Sequence, residues 1–395
     1  MDTKRRNELT EEELAQVRKA MEDFGNTPLT PVVKVETAEE QEAPVKKEEQ
    51  PVRKRRKWGV WVAVAVVVAL VIGIGYGYWS GLVQNHPNSM AKRKRTISVS
   101  GSEIVAVLND GTVYTSANSL SSEMARWKDM VSVSMTGVHA VGLRKDGTVA
   151  FAGAGQYGRE SSQWTNMAAV SVGSTYTLGL LTDGTVVAAG KNDYGQCEVS
   201  EWENIIGIEA GPYFSAGLRA DGTVVVTDVV IKDDASGTQN ANPIQNLQAE
   251  LEKVAQWENM ISISVGDAYI LGLRADGTVA AAGLDSFGEC DVADWTQIIS
   301  ISAGTFMSMG VRADGKIEAA GAMPEPFVTT EIPAQEVEKL VNSTGKKFVD
   351  VSCGIGLSPC VLAEDGTLHQ VYYELLSGLP SGLTVREVIA DVRLP

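Results

Sequence analysis

Three kinds of residue that often carry chemistry are scarce in this sequence. Among 395 residues there are 3 His and 4 Cys, and aromatic residues make up 6% of the chain. No two His or Cys stand at the short spacings that zinc sites use, so we expect neither a metal nor a cofactor. Four Cys are also too few for a disulfide scaffold in a chain of this length. No Ser, Cys or Lys stands in a motif beside a base, and we therefore expect no enzymatic activity.

Positive charge is in deficit as well. The chain has 34 Lys and Arg against 50 Asp and Glu, a formal net charge of −16. Proteins that bind nucleic acid need clustered Lys and Arg to displace counterions from phosphates, so we expect no nucleic-acid partner. Residues 1–57 contain 13 basic and 13 acidic residues, and the whole net charge therefore lies in the rest of the chain. We expect that part to be steered toward a basic partner protein.

One segment, residues 58–82, contains no charged residue and reads WGVWVAVAVVVALVIGIGYGYWSGL. As a helix, its first 22 residues would measure about 33 Å, which matches a hydrocarbon core of about 30 Å. Trp and Tyr stand at both ends, where the two faces of a lipid bilayer favour them. The segment predicts a transmembrane signal-anchor, with a buried pair of strands as the alternative.

Basic residues on both sides of this segment indicate its orientation. Five of them, residues 53–57, abut its first end, and four more, residues 92–95, follow about ten residues beyond the other. Because the abutting cluster is larger and is synthesised first, we expect the N-terminus in the cytoplasm and the C-terminal part outside the cell membrane. The cytoplasmic tail, 1–57, is expected to hold a short amphipathic helix over 11–24 and a disordered linker over 26–57. Residues 83–95 are expected to form a stalk.

Beyond the stalk the sequence repeats. Two β-rich runs joined by Asp-Gly predict a hairpin with a type I′ turn, and a Trp then begins the next unit. Seven such units predict an all-β domain over 96–395 that closes into a seven-bladed β-propeller. The strand-like run 385–392 is expected to complete the first blade beside 97–107. The seven turns begin at Asp110, Asp146, Asp183, Asp221, Asp276, Asp314 and Asp365.

Two insertions interrupt the period, near 229–256 and 322–346. Each contains apolar residues at helical spacing, and both fall in the same connection of the repeat, so both should project from one rim. An insertion rim is one candidate for a binding face. The alternative is loop variation that the fold tolerates.

The recurring pattern G-L-R-x-D-G-T-V, followed by G-x-x-x-[YF]-G and a Trp, resembles the regulator-of-chromosome-condensation repeat family over about 96–395. The resemblance implies a seven-bladed β-propeller. The eukaryotic founder is a chromatin-bound nucleotide-exchange factor, but only His139 keeps the His that the family has before this strand. The chain is more similar to the bacterial branch, in which aromatic residues on the loops before these strands form a binding face.

The loops before the first strand of each Asp-Gly hairpin present large side chains. We predict that they form a ring that binds a partner, although the same residues could fill the core instead. Cys353 and Cys360, on successive strands of the last hairpin, are candidates for a disulfide or for core positions. The predicted partner-binding residues are His139, Tyr176, Tyr213, Phe214, Tyr269, Phe306 and Met307.

These patterns together favour a membrane-anchored extracytoplasmic propeller that acts as a protein-binding module, in contact with the lipid bilayer through its span. One alternative is a propeller that binds or hydrolyses cell-wall glycan. Another is a structural or signalling spacer linked to the tail helix. The sequence does not name the partner protein.

Overall fold

The computed structural model describes residues 83–117, 120–230, 244, 246–324, 332–354, 358–376, 379–389 and 392–395. The predicted cytoplasmic tail and the predicted span over 58–82 lie outside these residues. Within the described part of the chain, no helix has the length and apolar character needed to cross a membrane.

The described residues form seven antiparallel sheets, five of three strands and two of four, and the expected all-β class is confirmed. Sheet 1 has β1 (Ile97–Ser100), β2 (Glu103–Val107) and β3 (Val113–Thr115); sheet 2 has β4 (Met130–Met135), β5 (His139–Arg144) and β6 (Val149–Gly153). Sheet 3 has β7 (Met167–Val172), β8 (Tyr176–Leu181) and β9 (Val186–Gly190); sheet 4 has β10 (Ile205–Ala210), β11 (Ser215–Arg219) and β12 (Val224–Val226). Sheet 5 has β13 (Met260–Val265), β14 (Tyr269–Arg274) and β15 (Val279–Gly283). Sheet 6 has β16 (Ile298–Ala303), β17 (Met307–Arg312), β18 (Ile317–Met323) and β19 (Ile332–Pro333); sheet 7 has β20 (Phe348–Ser352), β21 (Cys360–Ala363), β22 (Leu368–Leu376) and β23 (Leu379–Ile389).

The Asp-Gly turns join the second and third strands of each sheet, as predicted, but their type differs from the prediction. Gly147 has a φ of 81° and its N–H donates to the Arg144 carbonyl at 3.0 Å, whereas Asp146 does not have the positive φ that a type I′ turn requires. The geometry is a type I turn followed by a left-handed glycine. Asp146 adopts it because its carboxylate accepts the N–H and the hydroxyl of Thr148, at 2.9 and 2.7 Å.

Each Trp that begins a repeat packs on a glycine in the central strand of the sheet that follows. A Cβ on Gly142 would lie 2.8 Å from the ring of Trp127, so only glycine fits beneath the indole. Trp127 is therefore core framework rather than surface. The same pairing joins Trp164 to Gly179, Trp202 to Gly217, Trp257 to Gly272 and Trp295 to Gly310.

Neighbouring sheets are joined by a backbone hydrogen bond that recurs in every repeat. The carbonyl of each turn glycine accepts an N–H from the residue that begins the next first strand, as in Met130 N–H to Gly111 at 2.9 Å. Apolar side chains fill the space between the sheets; Val141 and Leu143 of sheet 2, for example, pack with Val170 of sheet 3. The other bonds run to Gly147 from Met167, to Gly184 from Ile205, to Gly222 from Met260, to Gly277 from Ile298, to Gly315 from Phe348 and to Gly366 from Val392.

The last of these bonds joins the C-terminal residues to the first sheet. Val392 forms a bridge with Leu108, and the Arg393 N–H donates to the Val107 carbonyl at 2.9 Å. The expectation that 385–392 completes the first sheet is therefore correct only at its end. Residues through Ile389 pair with β22 as the fourth strand of sheet 7, where a long partner strand offers more hydrogen bonds. Sheets 1 and 7 also meet directly, with Gly354 against the backbone of Val99.

Helices lie where the two insertions have helical spacing. Helix α1 (Ser121–Met124) is short; α2 (Leu247–Leu251) runs into a 3-10 turn (Glu252–Gln256), and α3 (Ala334–Asn342) follows β19. Side-chain hydrogen bonds join α3 to the strand β18 and α2 to the segment that follows β12. The Asn342 amide bonds the N–H and the carbonyl of Ile317, both at 2.9 Å, and Gln248 accepts the N–H of Val229 at 2.7 Å. The cover of β18 by α3 removes a free sheet edge.

Candidate functional site

The first strands of all seven sheets line one channel with a volume of about 170 Å³. Its wall consists mainly of small and aliphatic residues, such as Ser134 of β4 and Val172 of β7. The first strands start beside the Asp-Gly turns, and we call this the Asp-Gly end. In sheets 2 to 6 the other ends of the first strands lead into the loops 136–138, 173–175, 211–213, 266–268 and 304–306, which we call the loop rim. The channel therefore has two ends, the Asp-Gly end and the loop rim.

The predicted ring of partner-binding residues lies in the interior. His139, Tyr176 and Phe214 are 0% exposed, and Phe306, the least buried of the six, is 9% exposed. This burial supports the alternative, that these side chains fill the core, over the prediction that they form an exposed ring. Tyr213 alone remains half-buried. The six buried residues are His139, Tyr176, Phe214, Tyr269, Phe306 and Met307.

Two of the buried tyrosines join adjacent sheets through their hydroxyl groups. The Tyr176 hydroxyl donates to the Phe214 carbonyl at 3.0 Å and lies 2.8 Å from the Ser215 hydroxyl, which in turn donates to the Gln196 carbonyl at 2.6 Å. Two sheets further on, Tyr269 repeats this arrangement with the Met307 carbonyl and the Ser308 hydroxyl, each at 3.0 Å. Burial raises the pKa of both tyrosines far above the ordinary value, so they remain donors.

His139 also joins two adjacent sheets, but through its imidazole ring instead of a hydroxyl group. Its two ring nitrogens lie 3.3 Å from the hydroxyls of Thr136 and Thr177, and its ring stacks on Phe151 and Tyr157. Desolvation lowers the pKa of His139 to about 4, so the imidazole is neutral at physiological pH. This histidine joins sheets 2 and 3 and is not available as a surface acid or base.

The loop rim still offers accessible groups. The Val138 side chain is 42% exposed, and Tyr213 packs edge-on against Tyr194 with ring centroids 5.2 Å apart. Asp267, in the loop 266–268, lines the channel, and burial raises its pKa to about 6. An apolar and acidic rim of this kind can receive a basic, partly apolar partner surface.

The cysteines are all free thiols. Cys353 packs in the cluster between sheets 6 and 7, whereas Cys360 packs in the cluster between sheets 7 and 1. The candidate disulfide is therefore wrong, because the two side chains leave opposite faces of one sheet. No group of three metal-binding side chains occurs among the described residues.

The predicted stalk is also corrected, because residues 83–95 pack against the sheets. Val83 is 2% exposed, and Met90 lies over Gly207 and donates its N–H to the Ile261 carbonyl at 2.9 Å. Three successive basic side chains, at 93–95, enter the Asp-Gly end of the channel. Residues 88–95, which we call the plug segment, therefore close one of its two mouths. This position was not predicted, because the basic cluster 92–95 has the composition of a membrane flank.

Comparison with known proteins supports the repeat assignment. Residues 167–196 match the model of the regulator of chromosome condensation (RCC1) repeat, so this resemblance is confirmed over the three strands of sheet 3. No curated protein sequence matches the chain.

Solved structures resemble the chain at low sequence identity. The CRINKLY WD40 ectodomain of the Arabidopsis thaliana receptor kinase ACR4 is 17% identical, with a TM-score of 0.51 over 75% of this chain and 99% of that one. The ectodomain of the Physcomitrella patens receptor kinase CR4 is 18% identical, with a TM-score of 0.46 over 72% and 75%. Prp20p of Saccharomyces cerevisiae, described with its binding to Gsp1p and histones, is 17% identical, with a TM-score of 0.44 over 64% and 73%. The first of these likenesses supports the fold alone.

Proposed function

We propose that this chain is a membrane-anchored, extracytoplasmic, seven-bladed β-propeller that binds another protein at its loop rim. The observation that carries the proposal is the difference between the two channel mouths. The plug segment fills the Asp-Gly end, whereas the loop rim leaves Val138 exposed and Tyr213 half-buried beside Asp267. The cyclic order of seven sheets, joined by the bond from Val392 to Gly366, supports the blade number.

Charge favours a basic partner. The chain beyond residue 57 carries the whole net charge of −16, and the connections beside the rim contribute Asp193 and Asp285. Long-range attraction of this kind speeds encounter with a partner of opposite charge and weakens as ionic strength rises.

The membrane location rests on the sequence of residues 58–82 and its aromatic and basic flanks. A test uses the exposed position in the loop rim. In intact cells, a membrane-impermeant thiol reagent should label the Val138→Cys variant more strongly than the parent chain. Labelling that appears only after the membrane is permeabilised would contradict the outward orientation.

A glycan-binding function finds less support. Sugar sites use exposed aromatic rings, but Trp127, Trp202, Trp257 and Trp295 are at most 7% exposed. Their rings cover glycines of the central strands instead.

The binding face can be located with photo-crosslinking residues placed at three exposed positions of the full chain in its native membrane. Position 138 lies in the loop rim, position 183 in an Asp-Gly turn and position 336 on the insertion helix α3. We expect light-dependent adducts with a specific protein from position 138 and none from the other two. Adducts from position 336 alone would assign binding to the insertion rim, and adducts from position 183 alone would assign it to the Asp-Gly end; either result contradicts the proposal.

A further inference from the structure

Two acidic residues in the channel wall break the pattern of the repeats. The fifth residue of the first strand is Ser134 in sheet 2, Ser171 in sheet 3 and Ser264 in sheet 5, and each serine accepts an N–H from the next sheet. In sheet 4 this position is Glu209. The third residue is small in sheets 2 to 6, but in sheet 7 it is Asp350.

Both carboxylates face arginines of the plug segment. Arg95 pairs with Glu209 at 2.5 Å, where the Glu209 side chain is 9% exposed. Arg93 lies 3.9 Å from Asp350 and also donates to the carbonyls of Ile299 at 2.9 Å and Val349 at 2.5 Å. The two positions at which an acidic residue replaces the usual small residue are thus the two positions that face an arginine of the plug segment.

The lysine between these arginines completes the contact. Its ammonium donates to the Ala168 carbonyl of β7 at 2.7 Å, and burial lowers the pKa of Lys94. Three consecutive basic residues therefore engage the first strands of sheets 3, 4, 6 and 7. Every acceptor for these three side chains is a backbone carbonyl or a carboxylate. Arg and Lys side chains of another protein can donate to the same acceptors.

The plug segment is attached mainly by side chains. Its backbone contributes the bond from Met90 to Ile261, and the Arg95 carbonyl accepts the Val133 N–H at 3.0 Å. The bonds that join the sheets to one another, from the turn glycines and from the serines, use none of its residues. The segment can therefore leave the channel without breaking the bonds between sheets.

Departure of the plug segment would leave the Glu209 carboxylate inside the channel without its cation. An unpaired buried charge is costly, and an apolar or acidic group could not replace the guanidinium. A segment with similarly spaced arginines restores both pairs. This pairing gives the mouth its selectivity.

We propose that Glu209 and Asp350 of the channel wall form a binding site for an Arg-x-Arg segment of a basic partner protein that enters from the Asp-Gly end, and that the plug segment occupies this site as an internal competitor. This inference rests on the proposed function and adds a second contact to it at the opposite mouth. It makes access to the channel depend on whether residues 88–95 are in place.

The test measures binding of a fluorescent peptide with the sequence of residues 89–96, SMAKRKRT, to the purified full chain by anisotropy. The matched control peptide carries Gln in place of both Arg. We expect the R93Q/R95Q variant to bind the Arg peptide at least tenfold more tightly than the parent chain, and not to gain affinity for the control peptide. Adding E209Q and D350N to that variant should remove the gain.

The proposal is wrong if the R93Q/R95Q variant has a cooperative melting transition but no gain in peptide affinity, or if the gain survives E209Q and D350N. If R93Q/R95Q does not fold, the single variant R93Q, which keeps the Arg95 pair, should show at least a threefold gain. Absence of that gain is equally contradictory. Adducts from position 138 with no peptide gain would reject the mouth site alone, whereas absence of those adducts would reject the proposed function.

Discussion

Removing one hydroxyl from an interior tyrosine tests whether the buried ring residues join the sheets. In the Tyr176→Phe variant the aromatic packing remains, and only the bonds to the Phe214 carbonyl and the Ser215 hydroxyl are lost. That carbonyl still accepts the Gly211 N–H at 3.0 Å, and the Ser215 hydroxyl still donates to Gln196. No buried group is left wholly unsatisfied, so the loss should be about 1–1.5 kcal/mol rather than about 3 kcal/mol.

A destabilisation of this size should lower Tm by about 2–4 °C, because a domain of this size has a large unfolding entropy. The assay is calorimetry of the full chain, with urea unfolding as a second measure. Ser215→Ala should have a similar effect, and the double variant should fall short of additivity by about 0.5–1 kcal/mol, since both changes remove one shared contact.

The matched control is Tyr194→Phe, because the Tyr194 hydroxyl has no hydrogen-bond partner among the described residues. Its Tm should stay within about 1 °C of the parent value. If Tyr176→Phe melts at the parent temperature, or if Tyr176→Phe and Ser215→Ala act additively, the Tyr176 hydroxyl does not join the two sheets.

Three further predictions follow from the repeat geometry. Gly142→Ala should destabilise the chain by about 1–3 kcal/mol, because the new Cβ would meet the ring of Trp127. Gly137→Ala is the control and should change Tm little, because no side-chain atom lies nearer than 3.8 Å to its Cβ position. Equal effects of the two changes would contradict the close packing of Trp127 on Gly142. Deletion of residues 392–395 should lower the urea midpoint, since it removes the Gly366 and Leu108 bonds, and an unchanged midpoint would mean that sheet 1 needs no such contact. Hydrogen bonds from the hydroxyl and the N–H of Thr148 lower the pKa of Asp146, so the stability that its carboxylate contributes is present above about pH 4 and is lost as the pH falls. In urea unfolding, the difference in stability between the parent chain and Asp146→Asn should therefore shrink between pH 6 and pH 2.5. A difference that stays constant would contradict this.

The sequence predicted the sheets well because their signals are local. An Asp-Gly pair between β-rich runs and the following Trp each depend on a few neighbouring residues, and their recurrence placed the hairpins correctly. The turn type was missed because the carboxylate of Asp146 holds its own backbone, through Thr148, in the conformation with negative φ. The residue preferences of the turn types do not reveal these hydrogen bonds.

The direction of the ring residues could not be predicted from one repeat. Tyr176 is buried because a hydroxyl and a carbonyl of sheet 4, about 38 residues later, receive its own hydroxyl. One signal was present in the sequence. Thr177, Ser215 and Ser308 each follow a ring residue directly, and a hydroxyl repeated there indicates an acceptor or donor inside the fold.

The position of the plug segment was not predicted, for a different reason. Residues 92–95 have the composition of a membrane flank, and their partners are more than a hundred positions away in most cases. Aligning the repeats by position would have identified Glu209 and Asp350 as charged residues where other sheets have Ser, Ala or Gly. Deviations from a repeat are thus as informative as the repeat itself.

Hydrogen–deuterium exchange of the full chain, with and without the protein captured from position 138, shows which surface the partner covers. We expect slower exchange in the loop rim, above all at 136–138, 211–213 and 266–268, while the turns around Asp146 and Asp183 exchange as before. We also expect that Tyr213→Ala weakens binding by at least about 1 kcal/mol, roughly fivefold, without lowering Tm by more than about 1 °C. Protection confined to the Asp-Gly turns or to helix α3, with the loop rim unchanged, would contradict the account.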